Sequence, residues 1–315
     1  MFKWMRRKET KMDWTRFLSG VLATDYIFQD TPYEEQIEEA VLMLQNAEHI
    51  LIGAGAGLSA AAGLTYSGSR FQENFPEFIE KYGMKDMYSA GFYPFSSEEE
   101  RWGYWSKHSL VNRIEPPALP LYRDLCELVG EKDYFVITTN VDHQFFKAGF
   151  EKNRIFATQG DYGKIQCAKG CHRKTYDAID LFQQMNQARK DCRIPSSMVP
   201  KCPVCGGAMA MHLRCDSYFV EDEEWQEAAN RYGAFFTAAL KNERTVLLEL
   251  GVGFNTPVII KFGFHDATRK NKSANYICVN LFEAAAPVDI QDRSICIQAD
   301  IAKVVSDLLV MQKSK

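Results

Sequence analysis

The sequence predicts an α/β protein built on a doubly wound parallel sheet, with a small zinc-binding domain and a helical lid insertion. Three observations lead there. Apolar runs of strand length alternate with amphipathic helical segments. One of these runs, Ile50–Ile52, opens into the glycine loop Gly53-Ala-Gly55-Ala-Gly57-Leu-Ser59. Four cysteines in two tight pairs interrupt the alternation. At 315 residues, 46% hydrophobic and 25% charged, the chain can bury a core without disulfides.

Taken in order, residues 33–47 place Ile37, Ala40, Val41 and Leu44 at helical spacing, with glutamates on the opposite face. The strand at Ile50–Ile52 and its glycine turn follow. Residues 66–115 are rich in aromatic residues, serine and glycine, with weak periodicity; they predict a partly helical excursion over the core, of the lid type. After Pro116 and Pro117, ALPLYRDLCELV predicts a helix that feeds a strand at Tyr134–Thr138, and a short strand is expected at Arg154–Ala157. Residues 164–216 carry the cysteine pairs. From Glu223 the spacing predicts a helix to about Leu240, a strand over Thr245–Leu250, a glycine turn and a helix to about Lys261. A strand over Tyr276–Leu281 and a final helix from Asp300 close the chain.

Composition narrows the function. Thirty-seven Lys and Arg against 41 Asp and Glu give a formal net charge of −4, which argues against a nucleic-acid-binding protein. No stretch approaches the ~20 apolar residues of a membrane span. The segment MFKWMRRKETK lacks the apolar run of a secretory signal, and residues 1–11 read as a tail or an early start. A cytoplasmic location without membrane partners is expected. Nine cysteines, odd in number and unevenly spread, argue for zinc or reactive thiols over a disulfide framework.

The cysteines favour zinc. Cys167-Ala-Lys-Gly-Cys171 and Cys202-Pro-Val-Cys205 are two short turns 30 residues apart, each able to point both sulfurs at one ion. Four thiolates leave no open position, so one structural Zn2+ per chain is expected. The glycine loop, between strand and helix, suits a phosphate: backbone N–H groups approach it closely, and the helix N-terminus adds favourable charge. The loop lacks the GxGxxG spacing with an acidic residue about 20 positions on, so an ordinary dehydrogenase is a poor match.

Three more segments follow strands, where such a sheet collects its ligands: Thr138-Thr-Asn140-Val-Asp142, Thr158-Gln159-Gly160 and Gly251-Val-Gly253-Phe-Asn255. Asn140 and Asp142 also suit a turn cap and a helix cap. Together with the glycine loop, the cysteine pairs, Asn280 and Ala299-Asp300-Ile301, this order resembles the sirtuin family over about residues 33–310. The resemblance implies a Rossmann-like NAD-binding domain over 31–163 and 217–315, with a helical lid at 66–115. It also implies a zinc-ribbon small domain at 164–216, and an N-terminal extension with a first helix over 1–30. NAD+ is the implied co-substrate. Gly55, Ala56 and Gly57 would hold its pyrophosphate, and Asn140 and Asp142 would line the nicotinamide pocket. Gly251 and Gly253 would border the adenosine ribose, with Asn280, Asp300 and Ile301 near ribose and adenine. Ser59, Tyr66, Val252, Asn255 and Gln159 complete the implied cofactor set.

The departures from the family pattern bear on chemistry. The family's base is a histidine in His-Gly, and here that position is Gln159, whose carboxamide does not titrate near neutrality. The Pro-Asp-Phe-Arg stretch is replaced by Thr65-Tyr66-Ser67-Gly68-Ser69-Arg70, and the peptide-docking Phe-Gly-Glu reads Phe219-Val220-Glu221. Arg214 stands where the family has an Arg-Pro after the zinc module; it suits positioning of the ribose or acceptor, and equally a domain clamp. The pattern resembles the class M, macrodomain-linked bacterial sirtuins. That resemblance implies protein ADP-ribosylation, catalysed with Asn140, Asp142, Gln159 and Arg214, of a lipoylated carrier similar to the glycine-cleavage H protein. It also implies a link to a macrodomain hydrolase and a lipoate ligase in an oxidative-stress setting. In that group a lid tyrosine lies near NAD; Tyr93 is the candidate, a core aromatic being the alternative. Deacylation, NAD+ glycohydrolysis and a non-catalytic binding module are the competing readings.

Overall fold

The computed structural model describes residues 25–27, 31–241, 243–254 and 257–314. Its strands in chain order are β1 (Tyr26–Ile27), β2 (His49–Ala54), β3 (Asp133–Thr138), β4 (Ile155–Ala157), β5 (Gly160–Cys167), β6 (Thr175–Asp177), β7 (Met209–Leu213), β8 (Thr245–Leu250), β9 (Asn275–Asn280), β10 (Ala286–Pro287) and β11 (Ser294–Gln298). Six of them form one parallel sheet in the order β11-β9-β8-β2-β3-β4. The buried residues of these runs are mostly apolar because both faces of the sheet are covered; Glu249 in β8 is a buried exception, paired with Lys261. Ile50, Ile52, Val136 and Leu248 pack on one face against helices Tyr33–Asn46, Pro120–Val129 and Ile301–Ser314. Their neighbours Leu51, Phe135, Ile137 and Leu247 pack on the other against helices Glu223–Ala239 and Lys261–Lys270. The chain moves from β2 outward to β4, then returns to β8 on the other side of β2. The topological switch point therefore lies between β2 and β8, where ligands of open α/β sheets bind.

The helix expected to end near Lys261 instead begins there. Gly251 and Pro257 disfavour a helix, so 251–254 and 257–260 stay outside regular secondary structure except for turns. β1 pairs antiparallel with β10, so Tyr26–Ile27 is a strand; the rest of the first helix expected within 1–30 lies outside the described residues.

The 66–115 segment, expected as a partly helical excursion over the core, is built of short helices that also enclose a core of their own. Helices Ser69–Asn74, Pro76–Tyr82, Met87–Ala90 and Glu98–Ser109 enclose an aromatic core of their own around Phe71, Phe75, Phe78 and Tyr104. Trp102, on another side of Glu98–Ser109, stacks on Phe182 at 6.1 Å and packs with Met185 and Ile194. The helix buries two faces at once, which is why its periodicity is weak. Gly103 lets it press on the neighbouring chain: a Cβ there would lie 2.1 Å from the Cys192 carbonyl oxygen. The helical segment and the antiparallel sheet β6-β5-β7 thus form one body. That sheet starts at Gly160, ahead of residue 164, because β5 continues from β4 with only Thr158 and Gln159 between. No helix among the described residues is long and apolar enough to cross a membrane.

Candidate active site

The switch point is closed by three glycines in backbone contact. A Cβ on Gly55 would lie 2.7 Å from the Gly251 carbonyl oxygen, and one on Gly57 2.7 Å from the Gly251 Cα. Gly251 itself has φ +64, a left-handed conformation that side chains disfavour. The N–H of Gly55 donates to Leu250 and that of Gly57 to Gly251, both at 3.0 Å. These two donors are committed to the scaffold. Ala56, exposed between them, opens the helix Ala56–Ala61.

Beside this knot runs a directed hydrogen-bond chain. The Asn140 Nδ2 donates to the Gly55 carbonyl at 2.9 Å and to the Tyr122 hydroxyl at 3.4 Å. Ser59 Oγ donates to Asp142 Oδ2 at 2.5 Å, so the Tyr122 hydroxyl, 3.0 Å from Ser59 Oγ, is the donor in that contact. Asp142 Oδ1 also accepts from the Gln144 N–H at 3.0 Å. Burial pushes the Asp142 carboxyl above its ordinary range despite the Ser59 bond, and burial likewise raises the Tyr122 phenol. The Asn140 amide nitrogen is fixed by two bonds, while its Oδ1 has no partner among the described residues. Tyr122 was not singled out in the sequence. The available signal was a polar-tipped aromatic on the apolar face of an amphipathic helix.

Thr158 and Gln159 link β4 to β5. Gln159 is half-buried; its backbone carbonyl accepts from the Arg214 N–H at 3.0 Å, and its carboxamide has no partner among the described residues. The Arg214 guanidinium donates to Glu221 Oε1 at 2.7 Å and to the Thr158 carbonyl at 3.3 Å, and lies 4.2 Å from the Phe219 ring centroid. It clamps the Gln159 segment to residues 219–221. Val220 is spoken for on both sides: its N–H donates to Gln166 Oε1 at 2.9 Å and its carbonyl accepts from His212 Nε2 at 3.0 Å.

The remaining residues divide by place. Asn280 Nδ2 donates to the Val252 carbonyl at 3.3 Å while its Oδ1 accepts from Phe282 and Glu283, tying the loop after β9 to the one after β8. Gly253 stands next to Glu283, whose carboxylate accepts from the Phe254 N–H at 3.1 Å. Asp300 caps the final helix through Oδ1 on the Lys303 N–H, and the Ile301 side chain is buried in the sheet core. Tyr66 donates to or accepts from Tyr162 at 2.8 Å, and burial pushes its phenol up to about 12. Tyr93 packs on Tyr82 and Phe95 in the helical segment; no contact among the described residues joins it to the strand-end network. Asn255 lies outside the described residues.

The four cysteine sulfurs of Cys167, Cys171, Cys202 and Cys205 all lie within 4.8 Å of one another, with Cys167 to Cys205 at 3.8 Å and Cys171 to Cys202 at 3.7 Å. Tetrahedral thiolates at a Zn–S length of ~2.3 Å stand ~3.8 Å apart, so the donor set fits zinc.

Solved structures share this fold. A Sir2Tm bound to a propionylated peptide aligns with a TM-score of 0.55 at 16% identity, over 89% of this chain and 99% of that one. A Sir2 homolog–NAD complex aligns with 0.54 at 15% identity, over 88% and 94%. A protein ADP-ribosyltransferase of Staphylococcus aureus is 38% identical over 276 residues, 87% of each chain. The chain belongs to the sirtuin protein ADP-ribosyltransferases. Within that setting, a probable bifunctional ADP-ribose hydrolase/ADP-ribosyltransferase of Fusarium oxysporum is 32% identical over 316 residues, 94% of this chain and 52% of that protein. An NAD-dependent protein deacylase 2 of Archaeoglobus fulgidus is 25% identical over 178 residues, 55% of this chain and 60% of that one. No protein-family model matches the chain.

Proposed function

We propose that this sirtuin ADP-ribosyltransferase moves a single ADP-ribose unit from NAD+, releasing nicotinamide, to a lipoylated carrier protein resembling the glycine-cleavage H protein. The observation that carries transfer over deacylation is Gln159. A carboxamide orients a ribose hydroxyl but does not remove its proton. The transfer needs no such removal when the acceptor is a carboxylate: the nicotinamide–ribose C–N bond breaks with its electron pair to the ring nitrogen, and a carboxylate oxygen forms the new bond to C1′. Asn140 Oδ1, the free pole of a fixed amide, suits an oxocarbenium-like ribose at that moment. The committed backbone of Val220 supports the same choice, because an acyl-peptide strand would need those groups free. Zinc on the four cysteines would be structural, holding β5 and β7 together with no open coordination position. The Fusarium relative's name joins hydrolase and transferase, which supports a functional link to an enzyme that removes the modification.

Radiolabelled NAD+ offered with lipoylated carrier, lipoate-free carrier and an acetyl-lysine peptide tests this. Label on the lipoylated carrier, lost in Asn140→Ala with the fold intact, is expected. Robust acetyl-lysine hydrolysis with O-acetyl-ADP-ribose would establish a deacylase instead. Nicotinamide release without any acceptor would make the protein a glycohydrolase, and none with any acceptor a binding module.

A further inference from the structure

The connection that follows β8 is closed at its base by a buried ion pair. Glu249 is the next-to-last residue of β8 and Lys261 the first of helix Lys261–Lys270, and both side chains are fully buried. Lys261 Nζ donates to Glu249 Oε1 at 2.5 Å. The same carboxylate accepts from the Tyr276 hydroxyl at 2.7 Å and from the Cys278 thiol at 3.4 Å. Burial opposes the charge on Lys261, but the facing carboxylate holds its pKa above the ordinary lysine value, so the ammonium stays charged.

Stability alone is a poor account of such a pair. Taking two charges out of water costs about as much as their attraction returns, and apolar residues of similar volume commonly serve as well. What the pair reaches is the loop itself. The Lys261 ammonium lies 4.7 Å from the centroid of the buried Phe254 ring, and Tyr26 meets that ring edge to face at 5.3 Å. The Phe254 N–H donates to the Glu283 carboxylate at 3.1 Å, and Asn280 Nδ2 donates to the Val252 carbonyl at 3.3 Å. Gly253 therefore lies between two residues that are each tied to groups outside the loop. Residues 251–254 are neither helix nor strand, so these ties set their path.

We infer that Lys261, held by Glu249, is a positioning residue for the adenosine half of NAD+: its ammonium fixes the Phe254 ring, and Phe254 fixes Gly253 for close approach of the adenosine ribose. This rests on the proposed reading, in which Gly251 and Gly253 border that ribose. Lys261 itself touches no ligand, because it is fully buried. A desolvated ammonium over a ring is where that contact is strongest.

Calorimetric titration of the full chain with ADP-ribose, read beside thermal melting without ligand, tests the inference. The double variant Glu249→Gln, Lys261→Met removes both charges and keeps an acceptor for the Tyr276 hydroxyl. It is expected to melt cooperatively and close to the unaltered protein, yet to bind ADP-ribose about tenfold more weakly, the effect of one desolvated cation–ring contact. A purely structural pair would leave that affinity unmoved. Replacing Phe254 by pentafluorophenylalanine keeps nearly the same shape and reverses the charge of the ring face. It should weaken ADP-ribose several-fold in the unaltered chain and have little further effect in the double variant, since both changes remove the same contact. Unchanged affinity in the double variant, or losses that multiply when the two are combined, would overturn the inference. If the double variant does not fold, the fluorinated ring decides: unchanged affinity there overturns it. An unaltered chain that binds no ADP-ribose is a separate failure, of the NAD+ reading itself, and removes the inference with it.

Discussion

The parallel sheet and the body that carries the cysteines bury their side chains in different ways. In the sheet, β2, β3 and β8 are lined on both faces mostly by apolar residues, and each apolar contact is one among dozens of similar ones. In the second body a three-stranded sheet with a register shift between Gly160 and Ile165 leans on four cysteines at its tip and on Trp102 at its base. Stability is distributed in the first region and concentrated in the second. The consequence is that a single side chain can remove the second body while the first survives.

The sharpest test is Cys202→Ser. Binding of a structural zinc site is folding free energy, with apparent values of ~10–16 kcal/mol in zinc-finger peptides. The variant is expected to lose its ion and the hydrogen-exchange protection of β5, β7 and helix Glu98–Ser109, while β2, β3 and β8 stay protected. One zinc per chain with an unchanged melting curve would erase the contrast. The matching change in the sheet, Leu248→Ala, removes a fully buried side chain. It should cost ~2–5 kcal/mol in urea denaturation, lowering every probe together. If it melted only part of the sheet, the distributed picture would be wrong.

Asp142 and Tyr66 lie where the two regions meet, and their effects are smaller. The Asp142 carboxyl is raised by burial, with Ser59, His143 and Asp161 as its polar and charged neighbours. An acid raised in the fold holds its proton longer there than in the unfolded chain, so it contributes stability at low pH that is lost as pH rises through the raised value. Relative to Asp142→Asn, the unaltered protein should therefore become less stable as pH rises above the ordinary aspartate range, read by denaturation at several pH values. A pH-independent difference would show that the carboxyl titrates alike in the folded and unfolded chain, so that burial does not raise it. Asp161, close by, behaves in the opposite sense: burial opposes its ionisation, but the His143 hydrogen bond and Arg113 hold it low, at about 2. It cancels in the comparison. The smallest change is Tyr66→Phe, which removes the 2.8 Å bond to Tyr162 between the glycine-loop side and β5. A loss of about 1 kcal/mol is expected from thermal unfolding. A loss several times larger would mean that the two regions are coupled more tightly than their separate cores suggest.

Much of this contrast could be read in the chain. Val136, Ile137, Leu247 and Leu248 belong to uninterrupted apolar runs, and such runs bounded by glycine read as buried parallel strands whatever lies around them. The cysteine pairs are similarly explicit, because the two ends of each turn are close in sequence. The helical segment was hard to read for the converse reason. Trp102 and Tyr104 face different cores, so no single stripe appears. The helix at Lys261–Lys270 was misplaced because a weakly periodic segment gave no start signal beyond Pro257.

Local order and the chemistry of single positions were thus settled by the sequence itself: strand, glycine turn and helix around Gly55; paired thiols at 167–171 and 202–205; and a carboxamide at Gln159. Each depends on residues a few positions apart, where backbone sterics and side-chain type act directly. What only the tertiary structure decided are the partners. Tyr122 is 63 residues from Ser59, yet its hydroxyl orders the chain from Asn140 to Asp142. Gly57 meets Gly251 through backbone atoms, and Asn280 ties the loop after β9 to the one after β8. Such meetings follow from how the sheet winds and where its helices cross. A polar side chain looks the same in sequence whether or not that winding supplies a partner for it.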